Sequence, residues 1–180
     1  MKATGIVRRI DDLGRVVIPK EIRRTMRIRE GDPLEIYTDR DGEVIFRKYS
    51  LLGGVSDFAG QICDTIYKNT GRPTLVTDRD GVVAVAGAPK REFGDKPVSD
   101  ALERIMNERS VYQQRDQGEN IPVTAASAAL SVCVAAPILA QGDVLGCVVI
   151  ARSAGDPPAG ETEYTLARTV AGFLGRHMEL

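Results

Sequence analysis

The chain of 180 residues has no tryptophan, one histidine, three cysteines and few aromatics, five Tyr and four Phe. Each scarcity excludes something. Ser/His/Asp or Cys/His catalysis needs a base, and His177 is the sole histidine. It falls beside Phe173 and Met178 at the end of a helical pattern, where positive charge is mildly favoured, so its expected role is structural. No Gly-x-x-x-x-Gly-Lys-Ser/Thr phosphate loop and no metal-ligand cluster occurs, so neither an enzyme nor a bound cofactor is expected. Gly142 and Gly146, near Asp143, read as hairpin residues. An odd number of cysteines without metal-like spacing fits a reducing compartment. Cys63 lies on a helical pattern, Cys133 and Cys147 in apolar strands, and all three are expected as buried thiols. No apolar run reaches the roughly 18 residues of a membrane span, and the N-terminus has no signal-peptide core. A cytoplasmic protein without a membrane partner is expected.

What is present is an uneven charge. The formal net charge is −1. Residues 1–29 carry nine Lys and Arg against three Asp and Glu, while residues 30–50 carry three against six. A basic patch at one end of an otherwise acidic chain points to a local polyanion site.

Residues 2–10 alternate as a strand, Asp12-Leu13-Gly14 reads as a turn, and Val16-Val17-Ile18 as a short β-branched strand. Pro19 suits the first helical position, and Ile22 and Met26 share an inward face at i, i+4 spacing. Glu30-Gly31-Asp32-Pro33 breaks that helix. Leu34–Thr38 and Glu43–Lys48 form a hairpin. So small a unit is marginal as a monomer, and without a disulfide or metal it is expected to fold by pairing with a second copy.

Residues 51–70 read as a helix whose apolar face includes Phe58, Ala59, Cys63 and Ile66, with Gly53-Gly54 weakening its start. Pro73–Asp78 and Val82–Ala86 form a second hairpin. The string Thr-Asp-Arg-Asp-Gly stands at 38–42 and 77–81, which reads as shared turn chemistry rather than a repeat. Ser99 caps a helix over Asp100–Glu108, and 113–120 is polar loop. Leu130–Leu139 and Val144–Ala151 are near-continuous apolar strands, a pattern that implies cover on both faces. A Gly/Pro loop over 153–160 leads into a helix over Glu161–Met178, whose two apolar stripes exceed what one sheet needs. The surplus face could meet helix 51–70 of another subunit in a four-helix arrangement. The fold class is therefore α+β, with domains at 1–50 and 51–180.

Arg8, Arg9, Arg15, Arg23 and Arg24 are the candidate DNA-binding residues, with Lys2 and Lys20 as weaker ones. A guanidinium fork grips phosphate in two places and also pairs with guanine edges. The competing reading is a solvated cationic face, or arginines paired with Asp11, Asp12 and Glu21. No aromatic lines the basic stretch, so a duplex is a better target than a single strand. The short helix is poorly suited to lying along a major groove, so recognition is expected to lean on groove shape and deformability.

The segments 4–11 (Thr-Gly-Ile-Val-Arg-Arg-Ile-Asp), 13–23 (Leu-Gly-Arg-Val-Val-Ile-Pro-Lys-Glu-Ile-Arg) and 31–36 (Gly-Asp-Pro-Leu-Glu-Ile) resemble the AbrB-type swapped-hairpin DNA-binding domain of bacterial transition-state regulators. Residues 51–180 are similar to a GAF domain in the order of their elements and in the segment Cys133 to Ile138. The resemblance implies a β-barrel formed by two chains, with its arginines facing double-stranded DNA, joined to an antiparallel sheet flanked by helices. It further implies a homo-oligomeric transcription factor of late sporulation genes, dimeric through 1–50 and tetrameric through the terminal helices of the GAF-like domain. A small-molecule effector of unknown identity is also implied. The Asn-Lys-Phe-Asp-Glu signature of cyclic-nucleotide GAF domains is absent. Two other readings stay open: an antitoxin, a class that shares the swapped hairpin, and a ligand-binding protein with incidental DNA contact.

Overall fold

The computed structural model describes residues 4–52, 54, 56–114 and 118–179. The chain divides into two compact units, the first ending at Tyr49 and the second beginning at Ser50.

In the first unit, the strands expected over 2–10 and 16–18 are not formed. Residues 4–19 hold no helix or strand; Lys2 and Ala3 lie outside the described residues. The reason is that a strand exists only through bonds to a neighbouring one, and the pairing expected here comes from a second chain. The apolar side chains meant for that sheet stay in the open: Val7 is 87% exposed and Val17 70%. The turn does form. Gly14 takes φ +76, its N–H donates to Asp11 O at 3.0 Å, and Asp11 N–H donates to Arg15 O at 3.1 Å.

Helix α1 spans Lys20–Thr25. Pro19 sits one place earlier than expected, at the N-cap with ψ 149, and is buried. The helix also stops before the Glu30–Pro33 breaker, because Arg27 enters the left-handed region at φ 52. Ile22 is half-buried, but Met26 is exposed: six residues offer one turn of apolar face, and no second layer among the unit's described residues covers the rest. Strands β1 (Leu34–Thr38) and β2 (Val44–Lys48) pair antiparallel with Thr38 opposite Val44. Lys48 ties the hairpin back, donating to Arg27 O at 2.8 Å and pairing with Asp32 at 3.3 Å.

The second unit is a six-stranded antiparallel sheet in the order β4-β3-β8-β7-β5, with β6 also on β7. Its strands are β3 (Thr74–Asp78), β4 (Val82–Ala86), β5 (Tyr112–Gln113), β6 (Pro122–Thr124), β7 (Ser127–Ala140) and β8 (Asp143–Arg152). Helices α2 (Ser56–Thr70) and α5 (Glu161–His177) bury Cys63, Ile66, Ala167 and Leu174 against one face, together with Val134 and Ile138. The other face packs Leu75, Val132 and Val149 under α3 (Lys90–Phe93) and α4 (Asp100–Asn107). Strands β7 and β8 are thus covered on both sides, as their unbroken apolar runs required. All three cysteines are free and buried. Burial pushes the thiol of Cys63 up to about 12, so it packs as a small hydrophobe.

Ser99 caps α4 as expected, its Oγ accepting from Leu102 N–H at 3.0 Å. The two Thr-Asp-Arg-Asp-Gly turns do share chemistry. Asp39 Oδ1 accepts from Asp41 and Glu43 N–H, and Asp78 Oδ1 from Asp80 and Gly81 N–H. Elements α3, β5 and β6 were not anticipated. Gln113, read as loop, lies in β5, and Gln114 beside it is buried. Gly146 belongs to the β7–β8 hairpin, as expected, opposite Ile138. It lies within β8 opposite Asp78 of β3, where an added Cβ would collide with Thr77 O.

Arg72 fastens the 153–160 loop. Its Nη1 and Nη2 donate to Pro157 O at 2.8 Å and Pro158 O at 3.1 Å, while Nε pairs with Glu163 at 3.3 Å. Burial alone would raise the Glu163 carboxyl. Bonds from the Glu163 and Gly160 N–H groups and the Arg72 guanidinium outweigh it, so the carboxyl is held below its ordinary value. A depressed carboxylate contributes stability that is present above its unfolded pKa and lost as pH falls through the folded one. This clasp therefore loosens in acid.

Candidate nucleic-acid interface

The cations come from two local structures. The Asp11–Arg15 turn raises Arg15, and the single helix α1 carries Lys20, Arg23 and Arg24 within two turns. Arg8 and Arg9 precede the turn on backbone without regular structure. Arg8, Arg9, Arg15, Lys20 and Arg24 are all exposed.

Their electrostatic state differs residue by residue. Arg15 Nε donates to Asp11 Oδ2 at 2.9 Å, with the arginine side chain 68% exposed. An ion pair that exposed is worth little and yields to a better anion. Asp11 also accepts from the N–H groups of Leu13 at 3.0 Å and Arg15 at 2.8 Å. The Arg15 N–H, then its guanidinium, hold the Asp11 carboxyl below the usual range. Arg23 is half-buried, and its Nε is sealed from solvent with no hydrogen-bond partner among the described residues. Part of that side chain belongs to the scaffold. Arg8, Arg9, Lys20 and Arg24 pair with no carboxylate among the described residues, so Asp12 and Glu21 do not neutralise them. Lys2 lies outside the described residues. Arg27, not singled out from the sequence, is exposed beside the C-terminal end of α1. Only its left-handed backbone, which the sequence does not announce, turns it out of the helix.

Between these cations stand exposed apolar side chains. Ile6, Val7, Ile10, Leu13, Val16 and Val17 are all open to solvent. In the second unit, Phe58, Phe173 and His177 form a ring cluster, with centroids 5.6 Å apart for Phe58 and His177 and 6.1 Å for the other two pairs. Phe173 is 54% exposed. This cluster is the structural place expected for the lone histidine. Among the described residues, no group of His, Cys, Asp and Glu is arranged to hold a metal ion. Among the described residues, no helix is long and apolar enough to cross a membrane.

Two family models match the chain. Residues 54–179 match the family described as stage V sporulation protein T C-terminal, transcription factor. Residues 7–51 match the family described as antidote-toxin recognition MazE, bacterial antitoxin. Stage V sporulation protein T of Bacillus subtilis (strain 168) is 50% identical over 179 residues, covering 99% of both chains. The transition state regulatory protein AbrB of the same organism is 56% identical over 81 residues, 45% of this chain and 81% of that protein. Among solved structures, a GAF domain/HD domain protein from Geobacter sulfurreducens superposes with TM-score 0.52 at 18% identity, over 72% of this chain and 93% of that one. At that identity the likeness speaks for the fold, and it bears out the GAF-like reading of the second unit. With a full-length relative at this identity and a family model over most of its length, the chain belongs to the stage V sporulation protein T family of transcription factors.

Proposed function

We propose that two copies of this chain join through residues 1–50 to form a cationic platform that clasps double-stranded DNA. The proposed contacts are Arg8, Arg9, Arg15, Arg24 and Lys20, with Arg23 half scaffold and Lys2 as an accessory cation. The observation that carries the reading is the interleaving in residues 6–26: the exposed guanidiniums of Arg8, Arg9, Arg15 and Arg24 stand among apolar side chains open to solvent, Ile6, Val7, Ile10, Leu13, Val16 and Val17. The apolar residues call for a second copy, because at about 25 cal/mol per Å² their burial is the main force available to so small a unit. The cations call for a polyanion, because arginine suits phosphate and guanine edges alike. A two-fold platform favours pseudo-palindromic sites.

The second unit passes a signal to that platform, and the chain regulates sporulation genes from the cytoplasm without catalysing a reaction. The Phe58–Phe173–His177 cluster and a groove along α5 lined by Tyr164, Arg168 and Phe173 suit helix-on-helix packing between two dimers, giving a tetramer. The antitoxin match over 7–51 fits the same DNA-gripping unit. Residues 50–180 form a sheet with two packed cores, unlike a tail that folds only around a toxin.

The test is a duplex titration at rising salt. With roughly six to ten phosphates neutralised, affinity falls by about 10³ to 10⁵ between 50 and 200 mM salt. A flat salt response overturns the platform. Pairing is checked on the isolated fragment 1–50, which is expected to sediment as a dimer and to melt at a temperature that rises with its concentration. A folded monomer would overturn that part.

A further inference from the structure

Helix α1 ends in a motif that glycine usually closes. Ile28 N–H donates to Arg23 O at 2.7 Å and Arg27 N–H to Arg24 O at 3.3 Å. With Met26 at the C-cap, these are the paired bonds of a Schellman end. The residue just past such a C-cap turns left-handed, which glycine does without a Cβ penalty. Here that residue is Arg27, at φ 52, where an L side chain is strained. The surrounding chain holds it there. Arg27 O accepts from Lys48 Nζ at 2.8 Å, and the same ammonium pairs with the Asp32 carboxylate at 3.3 Å. That carboxylate also accepts from Arg29 N–H at 2.8 Å. Strain that neighbours over-determine in this way points to a use for the side chain. The Arg27 side chain is exposed, and no carboxylate pairs with it among the described residues.

We infer that Arg27 is a further DNA contact of the platform, a guanidinium that grips phosphate from just past the C-cap of α1. The inference rests on the DNA-binding reading above. A charged fork suits phosphate, and phosphate contacts fix the register of a protein on the duplex without reading its sequence. The Schellman bonds tie Arg27 to the carbonyls of Arg23 and Arg24, so its backbone moves with theirs. A cation at this place could also serve only to complement the negative end of the helix dipole. That need is already met. The two carbonyls are bonded to Ile28 and Arg27 N–H, and Arg23 and Arg24 supply two positive charges in the last turn. Glycine would close the helix as well and with less strain. What arginine adds at this position is an exposed charge.

The experiment compares Arg27→Gly and Arg27→Lys with the wild type as full-length proteins, on a duplex that the wild type selects from a random-sequence pool. A two-fold platform loses two guanidiniums in Arg27→Gly. The slope of log affinity against log salt should shrink by about 1.8, so the advantage of the wild type narrows about 12-fold between about 50 and 200 mM salt. Arg27→Lys keeps the charge and should keep the slope. Amide exchange of Ile28, in the protein without DNA, reads the helix end separately. Arg27→Gly should exchange there no faster than the wild type, since glycine accepts the left-handed backbone. The proposal is overturned by an unchanged slope in Arg27→Gly, by a slope that falls equally in Arg27→Lys, or by Ile28 exchange that quickens together with the loss of binding. If the wild type shows no salt-dependent duplex binding, the platform falls and this contact with it. If the wild type binds and Arg27→Gly matches it, this contact alone falls.

Discussion

Arg15→Ala is expected to weaken binding to a cognate duplex on the order of 10²-fold. In a two-fold platform the substitution removes two guanidiniums. Each well-placed contact to DNA is worth about 1–3 kcal/mol, and about 1.4 kcal/mol is a factor of ten. The internal contact that Arg15 gives up on binding, the exposed bond to Asp11 at 2.9 Å, offsets little of this. The turn itself survives. Asp11 keeps both backbone donors, Leu13 N–H and Arg15 N–H, and Gly14 keeps its positive φ. The Asp11 carboxyl is held below its ordinary value of 3.8. Its contribution to the turn is present above that value and fades as pH falls below it, so a titration at neutral pH compares like with like. If Arg15 touches phosphate, the salt slope of the dimer also shrinks by about two. Unchanged affinity in a variant whose second unit remains folded would remove Arg15 from the interface.

Gly146→Ala is expected to cost the second unit about 3–5 kcal/mol, a loss reserved for severe overpacking and strain. The obstacle is backbone. Gly146 lies opposite Asp78 in the β3–β8 ladder, and a Cβ there would run into Thr77 O and stand 2.8 Å from Leu52 Cδ1. A side chain can swing away from an intruder, but a ladder carbonyl moves only if its hydrogen bonds break. The melting temperature should drop by roughly 10 °C or more. Gly172 in α5 provides the control. A Cβ there meets nothing within 4 Å, so Gly172→Ala should stabilise the helix by about 0.5–1 kcal/mol. A cost below about 1 kcal/mol for Gly146→Ala would show that β3 and β8 can part without penalty.

The sequence made some elements legible and hid others for definite reasons. Both hairpins were legible because Asp side chains that bond their own turn leave a local signature, and the bonds of Asp39 and Asp78 bear this out. The Ser99 cap and the apolar runs of β7 and β8 were legible for the same local reason. Elements α3, β5 and β6 were not. Each is two to four residues long, too short for a period to register, and β5 exists only because β7 lies beside it. Gly146 was legible as a hairpin residue but not as a close-approach one, because a strand glycine reads the same in a sequence with or without a carbonyl against it. At the interface, the charge count found the cations and offered Asp11 as a partner for one of them, which Arg15 takes, but it did not find that Arg23 would be half-buried or that Arg27 would turn outward.

Alternation, β-branching and turn chemistry along the chain were enough to determine two units, a sheet covered on both faces in the second, and a basic surface with uncovered apolar residues in the first. These are properties of neighbours in sequence, where the spacing of side chains fixes which face they share. Tertiary structure alone decided the tight seat of Gly146 against Thr77 and the Arg72 clasp on Pro157, Pro158 and Glu163. Each joins residues far apart in the chain, and no local periodicity encodes which backbone carbonyl or guanidinium will arrive from the other side.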